Sequence, residues 1–149
     1  MKKILKLNSL FADKCIDFIK SEEEFFYFYR TIGWSDNQII LQLNKQTNYS
    51  FGFFENNKLI AFILGDLISI EKKSEYEILL IYVDKNFRNQ GHASYLIDAL
   101  NISLKQDKLQ RITLEVPSSN YIAINLYKKN FFYEIGKRKN YYSSIENIK

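Results

Sequence analysis

A chain of 149 residues with one cysteine, one proline, one histidine and five glycines is ruled out of several protein classes at once. Cys15 can close no internal disulfide, and no metal-ligand spacing exists around it; within its helix-like apolar pattern it reads as a small core residue. So little proline and glycine leaves no material for long flexible linkers, and no stretch is repeated or of low complexity. Long apolar runs are missing too. Leu59 to Leu64 and Ile78 to Val83 fall far short of the roughly 20 residues that span a bilayer. The opening Met1 to Ser9 carries a signal-like charge, but Lys6, Asn8 and Ser9 interrupt any export-length apolar core. A cytoplasmic protein with no membrane contact is expected.

What is present is a globular composition, 46% hydrophobic and 26% charged. The length suits one domain, residues 1–149, with a core of real size. The net charge of +4 with a pI near 9.0 favours an anionic partner, such as a nucleotide-containing cofactor or a ribosome surface. A balance this mild is equally that of an ordinary solvated surface.

Ile4 to Leu7 predicts a short strand. A helix follows from about Ser9, with Phe11, Cys15, Phe18 and Ile19 at helical spacing. The aromatic run Phe25 to Tyr29 precedes a break at Gly33. Ser35-Asp36-Asn37-Gln38 has the form of a capping box, opening a helix to about Gln46. Tyr49 to Glu55 and Lys58 to Ile70 read as strands joined by Asn56-Asn57, whose tolerance of positive φ suits a two-residue hairpin. Glu75 to Val83 is a further strand, ending in the continuous apolar run of a strand covered on both faces. Ala93, Leu96, Ile97, Leu100 and Leu104 then mark a helix reaching about Asp107. A strand at Arg111 to Val116, a helix from Asn120 to Lys129 and a strand-like stretch from Phe132 to Tyr142 complete the chain. An antiparallel meander followed by strand-helix-strand implies an α/β (α+β) mixed sheet, mostly antiparallel, with helices on both faces.

The chemistry starts at the turn from Val83 to Ser94. A strand entering a helix through a loop with Gly91 leaves amides unpaired, and with the helix dipole these can hold a pyrophosphate. Gly91 lets the backbone approach phosphates closely, and small Ala93 keeps the first helical turn accessible. An ordinary strand-to-helix turn with a glycine has the same form. A dinucleotide fold fits worse, since Gly-x-Gly-x-x-Gly is absent.

Arg88-Asn89-Gln90-Gly91-His92-Ala93 matches the Gln/Arg-x-x-Gly-x-Gly/Ala signature, and in this the chain resembles the GNAT superfamily of acyl-CoA N-acyltransferases. The likeness continues through Leu114-Glu115-Val116, Asn120, Ala123, Leu126-Tyr127 and Phe131. With Trp34-Ser35 and Arg138-x-Asn140-Tyr141-Tyr142 it resembles the bacterial ribosomal-protein alanine N-acetyltransferases over nearly its whole length. The resemblance implies acetyl-CoA as co-substrate, no metal, and a GNAT-like fold. It implies that backbone groups of Ile81, Tyr82 and Val83 pair with the pantetheine arm. The turn Arg88, Asn89, Gln90, Gly91, His92, Ala93 and Ser94 would hold the pyrophosphate, and Asn120 would contact the cofactor arm. Asn120 also reads as an N-cap. Pro117 reads as a ladder end at a cleft, or simply as a strand terminator.

Two side chains carry proton chemistry by the same resemblance. Glu115 would be the general base, through water, and Tyr127 the acid that protonates the departing thiolate. In the strand, Ile112, Leu114 and Val116 face one way and Glu115 the other, so a solvent-facing glutamate is its plain alternative. For Tyr127 the alternative is a packed aromatic. Glu77 is the second candidate base. His92 has a suitable unperturbed pKa, yet it sits in the phosphate turn, beyond the reach of a substrate amine, and reads as a first-turn surface residue.

Three departures from the family stand out: Asn89 where a basic residue is usual, Asn130-Phe131 in place of Gly-Phe, and a short end after Tyr142. Asn130 can still adopt the left-handed cap conformation. The short end raises the expectation that a final strand is missing and that the edge pairs with another copy, giving a monomer or a homodimer. The function expected is acetyl transfer to an amine, foremost the N-terminal amine of a protein such as a ribosomal protein, without direct nucleic-acid binding. A small-molecule amine acetyltransferase and an inactive acyl-CoA-binding module are the alternatives.

Overall fold

Seven strands and five α-helices form among the residues described by the computed structural model, which are 1–31, 33–105, 109–116, 121–134 and 140–143. The strands are β1 (Lys2–Leu7), β2 (Ser50–Glu55), β3 (Lys58–Ile70), β4 (Lys73–Val83), β5 (Leu109–Glu115), β6 (Tyr133–Glu134) and β7 (Asn140–Ser143). The helices are α1 (Ala12–Ser21), α2 (Glu23–Thr31), α3 (Asp36–Asn44), α4 (His92–Leu104) and α5 (Tyr121–Lys129). One sheet holds all the strands in the order β1-β2-β3-β4-β5-β7-β6. Only β4 and β5 run parallel; the other pairs are antiparallel.

The two-residue period of the strands sorts their side chains into two cores. Phe62, Leu64 and Leu80 point toward α1, α2 and α3, where they meet Cys15, Phe18, Ile19, Phe25, Ile39 and Leu43. Ala61, Ile63, Tyr76, Ile78, Ile112 and Leu114 point the other way, onto Leu96, Ile97, Leu100 and Leu104 of α4 and Tyr127 of α5. Helices therefore cover both faces, as expected. The Asn56-Asn57 hairpin is also present, with φ of 52° and 67°.

Several local expectations are corrected. The aromatic run belongs to a helix of its own, α2, because Phe25 and Tyr29 lie one helical turn apart and share one buried face. Ser35 stands at the N-cap of α3 but makes no side-chain cap bond, so the capping box does not form; α3 ends at Asn44, short of Gln46. The left-handed residue after α5 is Phe131, at φ 71°, rather than Asn130. Asn130 uses its side-chain amide instead, donating to the Leu126 carbonyl at 2.9 Å and to Ser94 Oγ at 3.1 Å.

The stretch read as a single last strand is two strands, with β7 inserted between β5 and β6. Tyr133 lies opposite Tyr142, and β5 is paired with β7 from Ile112 to Glu115. The expected missing strand is thus contradicted: strand character in a sequence does not show where a chain folds back, and one strand-like stretch here holds two paired strands. β5 has no bare edge to offer a second copy along these residues.

Candidate active site

Strand β4 is paired on both sides only in its first half. Its ladder with β3 runs from Lys73 to Val83, with a bulge where Leu80 faces Leu64 and Ile78 faces Gly65, leaving Leu79 extra. Its parallel pairing with β5 stops at Ile78 and Leu114. A bulge bends and twists its strand, so β4 leaves β5 at that point and a cleft opens. The bulge needs Gly65, since a Cβ there would stand 2.1 Å from Tyr76 Oη and 2.7 Å from the Glu77 carbonyl oxygen.

The Asp84 amide donates to the Ile60 carbonyl at 2.8 Å. Counting back along an antiparallel ladder, Tyr82 exchanges its backbone bonds with Phe62, so the polar groups of Ile81 and Val83 point toward the cleft. Of the three residues expected to present backbone there, two do. Tyr82 uses its backbone on β3, and its ring stacks on Phe25 at 3.8 Å between centroids.

The turn after β4 is pinned at four points. The Asp84 carboxylate accepts the Asn86 amide at 2.9 Å. Glu22, 6% exposed at the end of α1, accepts the Lys85 amide at 2.9 Å. Arg88 donates through Nε to the Val83 carbonyl at 3.1 Å and through its guanidinium to the Tyr82 hydroxyl. His92 Nδ1 donates to the Phe87 carbonyl at 2.9 Å, while its ring packs edge-on against Phe53. His92 is buried, so the expectation of a surface residue is corrected; its imidazole braces the turn from below.

These braces shape an anion cradle. Asn89 and Gly91 have φ of 61° and 82°, and Gly91 caps α4 without a side chain. A Cβ at Gly91 would meet nothing within 4 Å, so the space above it is open. Among the described residues, the amides of His92, Ala93 and Ser94 find no acceptor in the chain, as the first turn of a helix requires. Gln90 is exposed beside them. Open space, free amides and a helix N-terminus suit a pyrophosphate.

Glu115 ends β5 and is exposed, with Ile112, Leu114 and Val116 buried on the opposite side, as the alternation predicts. Glu77 stands on the same face of β4, across from Thr113 of β5. Its carboxyl is held above the ordinary range, first by partial desolvation, then by the charges of Asp66 and Glu115, with Lys45 acting the other way. Tyr127 is 4% exposed, packs against Phe132, and lies in the core with Ile78 and Leu114. Burial pushes its phenol well above the usual 10.0, so it stays protonated across the ordinary pH range. Asn120, Pro117 and Arg138 lie outside the described residues.

The sequence reading missed Asp84, Glu22 and Asp66. Asp84 was within reach, because Asp two residues before Asn86 is an Asx-turn pattern. Glu22 had no local signal, its partner being 63 residues away.

Residues 11–131 match the Acetyltransferase (GNAT) family. The chain belongs to the GNAT family. This GNAT protein is an acetyl-CoA-dependent acyltransferase. It is 31% identical over 112 residues to a [ribosomal protein bS18]-alanine N-acetyltransferase of Haemophilus ducreyi, covering 74% of this chain and 73% of that one. Its fold matches that of the ribosomal-protein-S18-alanine N-acetyltransferase of Escherichia coli, with TM-score 0.76, 21% identity, and 95% and 91% of the two chains covered. The PaiA N-acetyltransferase of Thermoplasma acidophilum, solved in complex with coenzyme A, has TM-score 0.77 at 16% identity, with 95% and 96% covered. No helix among the described residues is long and apolar enough to cross a membrane.

Proposed function

We propose that this GNAT enzyme acetylates the N-terminal α-amine of a protein, with a ribosomal protein as the foremost acceptor, as a cytoplasmic monomer or homodimer. The observation that carries the reading is the pair of carboxylates, Glu77 and Glu115, on one open face of the sheet where β4 and β5 part. Similarity to a bS18-alanine N-acetyltransferase supports the acceptor class.

Acetyl-CoA supplies an activated thioester carbonyl. The amides of the α4 first turn, with Arg88, Asn89, Gln90 and Gly91, hold its pyrophosphate; Ile81 and Val83 hold its arm by backbone bonds, with Tyr82 bracing them, and the family resemblance adds Asn120 as a contact to the arm. A protein α-amine has a pKa of about 7.7 to 8.0, against about 10.4 for lysine, so a weak base acting through water suffices. Glu115 takes that proton, with Glu77 the second candidate. The amine nitrogen bonds to the carbonyl carbon and passes its surplus proton to solvent, the carbon–sulfur bond breaks, Tyr127 gives its proton to the thiolate sulfur, and solvent returns a proton to the phenolate.

The test is acetyl-CoA turnover against peptides with different first residues, small amines, and peptides whose only amine is an internal lysine. Preference for free N-termini is expected. Faster turnover of small amines, or no release of coenzyme A with any amine, would overturn the reading.

A further inference from the structure

Asp66 stands out among the groups the chemistry above leaves unused. It lies on β3 directly opposite Glu77 of β4, and it is 7% exposed. Side chains directly opposed across antiparallel strands have their Cβ atoms about 5 Å apart, and like charges there repel. A buried carboxylate facing a second carboxylate is a costly arrangement unless something holds it.

Three donors do so. Gln42 Nε2 donates to Asp66 Oδ1 at 2.8 Å, Thr47 Oγ1 donates to the same oxygen at 3.0 Å, and Lys45 Nζ stands 3.6 Å from Oδ2. Gln42 also donates to the Gly65 carbonyl at 3.2 Å, and the Leu67 amide to the Thr47 carbonyl at 2.8 Å, so the last turn of α3 and the loop after it are laced onto β3 at the bulge. Hydrogen bonds to a carboxylate favour its ionised form. These donors hold the Asp66 carboxylate in place, and the repulsion falls on Glu77, which has no hydrogen bond or ion pair among the described residues.

We propose that Asp66 is a positioning residue, a locked buried anion whose charge, partly countered by Lys45, decides when Glu77 carries a proton. The idea rests on the acetyl-transfer reading for its purpose but not for its test. The charged groups facing Glu77 are Asp66 from β3, Lys45 from the loop after α3, and Glu115 from β5. Glu75, one pleat back, is already paired with Arg111 at 2.7 Å. The raised proton affinity of Glu77, caused first by its partial burial and next by the Asp66 charge, agrees with this arrangement. A carboxylate that binds protons more readily is a better acceptor for the proton of a substrate ammonium. The α3 connection that supplies Gln42, Lys45 and Thr47 thereby acts, through β3, on proton chemistry at Glu77 of β4, one strand away from Glu115.

The experiment follows the Glu77 carboxyl by carbon NMR titration in protein labelled at glutamate, its signal assigned with Glu77→Gln. Asp66→Asn keeps the shape and one acceptor oxygen while deleting the charge, so the Glu77 midpoint moves to lower pH. Lys45→Met deletes the opposing charge from a half-exposed side chain, so the midpoint moves to higher pH. Alongside, the acid limb of the kcat/KM profile follows the same signs, with roughly a tenfold loss near neutral pH in Asp66→Asn, a fraction of the ~10² to 10⁴ that proton transfer contributes. A structural role alone would change Tm and leave the midpoint in place. Unmoved midpoints in both variants, or shifts of the same sign, overturn the proposal; if Asp66→Asn does not fold, an unmoved midpoint in Lys45→Met overturns it alone. Absence of any acetyl transfer with intact titration shifts would instead count against the proposed function.

Discussion

The buried Glu22 carboxylate accepts the amide of Lys85 at 2.9 Å, fastening the turn after β4 to the junction of α1 and α2. The link joins the two sides of the sheet, because α1 and α2 pack on one face while α4, which the turn feeds, packs on the other. Removing it by Glu22→Ala deletes a hydrogen bond to a charged acceptor, a net contribution of about 1.5–3 kcal/mol at most. Loss of stability together with weaker coenzyme A binding is expected, with Glu22→Gln recovering part of both. Calorimetry and thermal melts check this; unchanged coenzyme affinity in the alanine variant would reduce Glu22 to a fold-level role.

Acetyl-CoA should raise the melting temperature, since binding to the folded state contributes about 2.7 kcal/mol when ligand exceeds its dissociation constant 100-fold. Gly91→Glu should abolish the shift. It places bulk and negative charge in the open space of the cradle and forces a side chain into φ 82°. A melting shift equal to wild type would remove the pyrophosphate from this turn.

Tyr127→Phe tests the acid. If the phenol protonates the leaving thiolate, kcat drops by about 10² to 10⁴ with coenzyme affinity nearly unchanged. The ring stays, so packing on Phe132 stays with it. Glu115→Gln should lose activity near neutral pH and recover part of it as the amine deprotonates unaided at higher pH. A flat pH response there, with a steep one in Glu77→Gln, would transfer the base to Glu77.

Alkaline stability follows from buried protons. Burial pushes the Cys15 thiol from 9.0 up to about 12, and burial followed by the Asp36 charge pushes the Tyr29 phenol from 10.0 up to about 12. The unfolded chain releases these protons from about pH 9, whereas the folded chain retains them. Their contribution is therefore complete below pH 9 and is lost as pH rises toward 12. Denaturant midpoints should fall across that interval, and less steeply in Cys15→Ala; an identical slope in that variant would exclude the thiol.

Periodicity made most elements legible, because strands and amphipathic helices announce their buried faces within a few residues. Asn56-Asn57, Gly91, and the opposed faces of Leu114 and Glu115 were readable for that local reason. Where several interpretations share one pattern, local reading failed. Phe25 to Tyr29 is aromatic on every position, and Phe132 to Tyr142 carries aromatic pairs at both ends without a clear period, so neither showed its period or its break.

By itself the sequence determined the mixed sheet with helices on its faces, the glycine turn after β4 and the family, all of which rest on side-chain order along short segments. Tertiary structure decided the rest. The register that sets Asp66 against Glu77 follows from a bulge at Leu79 that no residue spacing signals. The burial of His92 follows from Phe53, a strand on the far side of the helix it opens. Glu22 reaches Lys85, and Asn130 reaches Ser94, across 63 and 36 residues of chain. Such contacts have no local signature, since their free energy depends on distances that exist only once both cores have packed.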